Sequence, residues 1–154
     1  MTAPDALHIL IDLAKRTSDT RLRALAVALG REKSETERLH LLLDYRTKYR
    51  ERLETQQREG ITPAMLANYR QFLGRLDAAL QQQEGVVAQR TGESSRARVD
   101  LNEAERKHLS YQTVSERRAA IARVSAERRE QKQHDEMASR GRRARTGFAR
   151  PPAR

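Results

Sequence analysis

Histidine and carboxylate are the side chains through which so polar a chain would do chemistry, and their spacing argues against it. The four histidines, His8, His40, His108 and His134, stand far apart, and none forms an HExxH or other i, i+4 pair with a second imidazole. His134-Asp135-Glu136 gathers three ligand-type side chains, but on a charged helix such a triplet reads as solvated surface rather than a metal centre. No GxxxxGK[ST] loop and no GxGxxG turn is present to cradle a phosphate. With no cysteine, thiolate sites and disulfides are also excluded. The expectation is a chain that is not an enzyme, holds no cofactor or metal, and does not bind ATP itself.

Recognition chemistry is better represented. Tyr45, Tyr49, Tyr69 and Phe72 are four of the six aromatic residues and lie close together in the sequence. Tyr49 and Tyr69 fit a helical row and read as a structural clamp. Phe72 stands one position off the row Tyr69, Leu73, Leu76, Leu80, so it points partly outward with Ala79 and Leu76, as a docking patch would. The second feature is charge. The formal net charge is +10, and six arginines between Ser139 and Arg154, with no acid among them, leave +4 for residues 1–138. The body mixes both signs, so it reads as a solvated helical surface followed by a basic tail.

The elements that position these groups are helices. Asp5 or Thr2 can cap a first helix with Pro4 near its first turn, and from there to Arg58 only Gly30 interrupts a helix-permissive sequence. A 3/4 spacing runs through Leu22, Leu25, Leu29, Thr36, Leu39, Leu43, Arg46 and Leu53. Leu42, Tyr45 and Tyr49 add to the same apolar row. Glu59-Gly60-Ile61-Thr62-Pro63 then ends one helix and starts another: Gly60 suits the left-handed position after a helix, Thr62 an N-cap and Pro63 the first helical position. The second row steps by four and three from Tyr69 through Leu73, Leu76, Leu80, Gln83, Val87, Arg90, Ser94, Ala97, Leu101, Ala104 and His108 to Tyr111.

The spacing therefore predicts an all-α fold, a long antiparallel two-helix coiled coil, or helical hairpin, with unequal arms. Helix 1 is expected over about residues 5–58, the turn over 59–62, helix 2 over about 63–140, and a disordered Arg-rich tail over 141–154. Folding at residues 60–62 makes partner numbers sum to about 122. Leu42, Tyr49 and Leu53 then meet Leu80, Leu73 and Tyr69 in the seam. Near the middle Arg31, Glu32 and Glu35 fall opposite Val87, Arg90 and Gly92, which predicts a thinner, looser section. At 1.5 Å per residue the arms are ~80 and ~115 Å long, so residues beyond about Glu116 have no partner within the chain.

Composition agrees. Apolar residues are 37%, charged residues 34% and aromatic residues 4%, which can fill a seam but hardly a thick core. The start Met1-Thr2-Ala3-Pro4-Asp5 lacks a secretory signal's basic and apolar segments, and no run approaches the ~20 apolar residues of a membrane span. A soluble, cytoplasmic protein is expected.

Three blocks carry a resemblance. Leu42-Leu43-Asp44-Tyr45-x-x-x-Tyr49-Arg50, Gly60-Ile61-Thr62 and Asn68-Tyr69-x-Gln71-Phe72-x-x-x-Leu76 form the first. Gln112-Thr113-x-x-Glu116-Arg117 and Gln131-Lys132-x-x-Asp135-Glu136-x-Ala138-x-Arg140 follow. In this order and spacing, over about Leu7 to Arg140, the chain resembles the flagellar export protein family called FliJ. The resemblance implies a rotor-stalk-like coiled coil of the type III export apparatus, at the cytoplasmic face of the inner membrane and peripheral to it through its partners. The terminal ends of both helices would enter the hexameric export ATPase and favour its assembly and activity, with Arg117, Arg118, Arg123, Arg128, Arg129 and Lys132 as pore contacts. Near the hairpin, Phe72, Leu76, Ala79 and Gln83 would meet the cytoplasmic domain of the export gate; Gln83 stands where the family is expected to have His. Export chaperones are further implied partners. The alternatives are a coiled-coil adaptor or chaperone of another secretion system and, third, a nucleic-acid binder acting through the tail; lacking a helix-turn-helix or an aromatic single-strand platform, the chain is expected not to bind nucleic acid.

Overall fold

The computed structural model describes residues 5–146, with side chains as far as Arg145, and these residues form two α-helices with no strand among them. The first, α1, is Ala6–Glu59 and the second, α2, is Pro63–Thr146. Asp5 begins α1: its carboxylate accepts from the Leu7 amide at 3.5 Å and its carbonyl from the His8 amide at 2.8 Å. Those amides have no partner inside the helix, which is why an acidic side chain is favoured there. Thr2 and Pro4 lie outside the described residues.

The turn has the expected chemistry. Gly60 takes φ 104°, a left-handed conformation that costs glycine nothing, and its amide donates to the Gln56 carbonyl at 3.0 Å. Thr62 then caps α2, its hydroxyl accepting from the Met65 amide at 3.3 Å and its carbonyl from the Leu66 amide at 3.0 Å. Pro63 follows at the first helical position, where a missing N–H loses no bond.

Residues 12–108 form one unit, in which α1 and α2 pack antiparallel along a narrow apolar seam. Leu76, Leu80, Leu101, Ala14 and Ala104 are buried in it. Leu42, Tyr49, Leu53, Tyr69 and Leu73 are half-buried, because a two-helix seam covers only one face of each helix. Tyr49 meets Phe72, Arg46 meets Asp77 and Glu32 meets Thr91 across the hairpin; each pair of numbers adds to within one of 122. Three members of the expected rows depart from the seam. Leu22 (54% exposed), Leu29 (39%) and Tyr45 (55%) lie outside it. Here α1 turns Leu25 and Ala28 inward, both half-buried, and one partner helix cannot cover the flank as well.

The middle of this unit is polar, as the register requires, but it is tied rather than loose. The Ser94 hydroxyl donates to Glu32 Oε2 at 2.6 Å and the Thr91 hydroxyl to Glu32 Oε1 at 3.0 Å. Gln83 Nε2 donates to the Glu35 carbonyl at 3.0 Å and to its carboxylate at 2.8 Å. Ser94 is only 4% exposed, and a buried hydroxyl aimed at a carboxylate makes a stronger bond than two neutral groups would. Beside it Arg90 donates to Glu93 at 2.9 Å, and this hydrogen bond holds the Glu93 carboxyl below the usual carboxylate range. Charge-assisted bonds replace apolar contact here.

Residues 1–11 with 109–154 form the other unit. Among its described residues Leu7 is buried and Ile11, Tyr111, Thr113 and Ser115 are half-buried. From Glu116 to Arg145 every residue except Ser125 is exposed, as expected once α1 has no residues left to offer. One boundary is corrected: α2 continues to Thr146, so residues 141–146 are helical rather than part of a disordered tail. Arginine and alanine are good helix formers, one glycine costs only ~1 kcal/mol, and Arg143 and Arg145 oppose the negative end of the helix dipole. Residues 147–154 of the expected tail lie outside the described residues.

Candidate functional site

Two surfaces deserve a functional reading, one in each unit. The first lies near the turn. Phe72 is 42% exposed, and its ring rests on that of Tyr49 with centroids 4.4 Å apart at 37°. The Arg52 guanidinium lies over the other ring at 5.7 Å from the Tyr49 centroid, close enough for a cation–π contact. Phe72 is thus a braced aromatic that is still partly open to solvent. The rest of the expected patch is drawn elsewhere. Leu76 is 8% exposed and belongs to the seam, because it continues the inward row from Tyr69 and Leu73. Ala79 is half-buried, and the Gln83 amide is spent on Glu35. Met65, two helical turns before Phe72 on α2, and Tyr45 on α1 are both exposed, though sequence spacing alone gives Tyr45 an inward position.

The second surface is on α2 in the other unit. Ala120, Ile121, Val124, Ser125, Arg128, Arg129 and Lys132 line a shallow groove. Steps of three and four put these side chains on one face. Ile121 and Val124 are 70% and 46% exposed, and Arg129 donates to the Ser125 hydroxyl at 3.3 Å. At 100° per residue Arg117 and Arg118 fall on the same face, whereas Arg123 falls on the opposite one. Five of the six expected basic contacts therefore share one side of the helix. The apolar pair at its centre was not singled out in the sequence reading; the signal was a three-residue step between β-branched residues inside a basic run. Such a face, apolar midway along and cationic toward both ends, suits an acidic or carbonyl-rich helix-binding wall.

Among the described residues no group of three or more His, Asp or Glu is placed to hold a metal ion, and no helix is long and apolar enough to cross a membrane.

Comparison with known proteins bears on the family and the fold. The family model described as Flagellar FliJ protein matches residues 4–147. The Flagellar FliJ protein of Salmonella typhi is 33% identical over 141 residues, covering 91% of this chain and 95% of the relative. That of Escherichia coli (strain K12) is 32% identical over the same shares. Among solved structures, a protein described as a YscO homolog, CT670, from Chlamydia trachomatis aligns over 92% of both chains with a TM-score of 0.54 at 16% identity. At that identity the likeness speaks for the fold alone.

Proposed function

Because the chain belongs to the flagellar FliJ family and is a component of flagellar export, we propose that it works as a non-enzymatic stalk between the export ATPase and the export gate. The observation that carries this reading is the bare face of α2 from Arg117 to Lys132. A helix segment with exposed Ile121 and Val124 amid basic residues gains little by remaining in water. Inserted into the pore of a ring, that face finds acidic or backbone acceptors on the subunits it turns toward. Binding unequally to the subunits it touches, it biases their conformations and favours the assembled hexamer; a ligand shifts an equilibrium only by its difference in affinity.

Phe72 supplies the contact at the other end. Its ring is already held by Tyr49, so docking on the cytoplasmic domain of the gate costs little ordering entropy. Export chaperones would use the remaining exposed hairpin surface, and the chain would be held at the inner membrane through these partners. Phe72→Ala is expected to weaken gate binding by about thirtyfold, the size of a central aromatic hot spot, as read by calorimetry with the purified gate domain. Unchanged affinity would remove Phe72 from the interface.

The deciding experiment is ATP turnover by the purified export ATPase of the same organism with and without this chain. Saturable stimulation, with hexamers appearing by sedimentation, is the expected outcome. No stimulation and no binding at low salt would overturn the stalk reading in favour of an adaptor or chaperone of another secretion system.

A further inference from the structure

Between Leu22 and Leu29, α1 carries more apolar surface than one partner helix covers. The run Leu22-Arg23-Ala24-Leu25-Ala26-Val27-Ala28-Leu29 holds a single polar residue, and a helix apolar on all sides is normally packed on more than one. In the hairpin only Leu25 and Ala28 turn toward α2, while Leu22, Val27 and Leu29 remain 54%, 54% and 39% exposed. Leu22, Ala26 and Leu29 follow one another by four and three and form a stripe along the flank. The same spacing brings Lys15 and Asp19 to one end of the stripe and Lys33 and Glu37 to the other, all four exposed.

The charges at those ends identify what fits. Lys15 and Glu37 are equally distant from Ala26, and so are Asp19 and Lys33. A copy of the same stripe laid antiparallel about Ala26 therefore sets lysine against glutamate and aspartate against lysine, at both ends and by one two-fold operation. A parallel copy would set each charge on itself. Within the hairpin Lys33 approaches Glu37 only to 4.0 Å, with both side chains well exposed, so re-pairing across a dimer gives up little. The small Ala26 at the centre lets the two helices approach, with Leu22 and Leu29 on either side of the crossing.

We propose that this stripe is a self-association surface on which a second copy of the chain packs α1 antiparallel about Ala26. The inference is independent of the stalk reading, which rests on α2.

Sedimentation equilibrium of the full chain at low salt tests it. The mass is expected to rise with concentration from 17.7 kDa toward twice that value. Leu22→Glu with Leu29→Glu should weaken association at least about a hundredfold, since charges would enter an apolar contact twice over. Lys15→Glu should weaken it about fivefold and addition of Glu37→Lys should restore it. Circular dichroism verifies that the variants keep their helices. Because the chain has no cysteine, Ala26→Cys gives a second readout: a short bis-maleimide should link two copies there, and not through Ala78→Cys. The proposal is overturned if the chain stays a single copy at every concentration, or if Ala26→Cys gives no linked dimer. A dimer that ignores the Leu22 and Leu29 changes but is lost on Ile121→Glu with Val124→Glu would overturn it as well, by placing self-association on α2.

Discussion

Leu80→Ala is expected to destabilise the hairpin by about 3 kcal/mol, within the range for buried leucines. Leu80 is 2% exposed and stands one turn from buried Leu76. Few side chains in this seam are so completely enclosed, so the lost methyl groups leave a void that half-buried neighbours can close only in part. In urea denaturation the midpoint should fall while the slope stays constant, since the surface exposed on unfolding is nearly unchanged. Leu41 provides the contrast. It has the same side chain on the opposing helix but is 58% exposed, and Leu41→Ala should change stability by less than about 0.5 kcal/mol. Equal shifts for the two would mean that the seam does not run where the burial places it.

The second large effect concerns the exposed face of α2. Combined Arg128→Glu, Arg129→Glu and Lys132→Glu should raise the concentration needed for half-maximal stimulation of the export ATPase at least about tenfold. All three side chains are exposed and line the groove around Ile121 and Val124. Their reversal leaves the seam alone, so helicity should be unchanged. Arg123→Glu removes a like charge from the opposite side of the helix and should have little effect. A triple variant as active as the parent chain would sink the pore reading. Equal loss from Arg123→Glu would point to a diffuse attraction that no particular face directs.

The parts of this structure that were legible in the sequence are those governed by local rules. Gly60, Thr62 and Pro63 name their own positions, because a left-handed glycine, an N-cap and a first-turn proline have few other uses in combination. The register followed from the turn, and Arg46 with Asp77 and Tyr49 with Phe72 show it at the level of side chains. What spacing could not resolve is which of several near-equivalent apolar residues faces inward. Leu22, Leu25 and Leu29 all fit a 3/4 reading, yet only Leu25 is drawn into the seam. At the candidate sites the same ambiguity gave Leu76 two places, in the inward row and in the outward patch beside Phe72, and it is buried in the row. The hydrogen bonds that tie the polar middle escaped for another reason. Glu32 opposite Ser94 looks like a mismatch on a hydropathy scale and becomes a bond only when both atoms are in place. The helical extension to Thr146 was masked by the habit of reading glycine and arginine as tail, although arginine is a good helix former.

The geometry of the turn also sets an order of events. Arg46 and Asp77 stand 31 positions apart in the sequence, Glu35 and Gln83 48, and Glu32 and Ser94 62. The entropy lost in closing a loop rises with its length, by ~0.6 kcal/mol per doubling, unless layers already closed have shortened it. The helices of residues 12–108 therefore join as a zipper does, from Gly60 outward, each layer lowering the barrier to the next. Opening runs the other way. A force applied to the far end of this hairpin parts Glu32 from Ser94 before it reaches Tyr49 and Phe72, so the aromatic end keeps its shape while the other end yields.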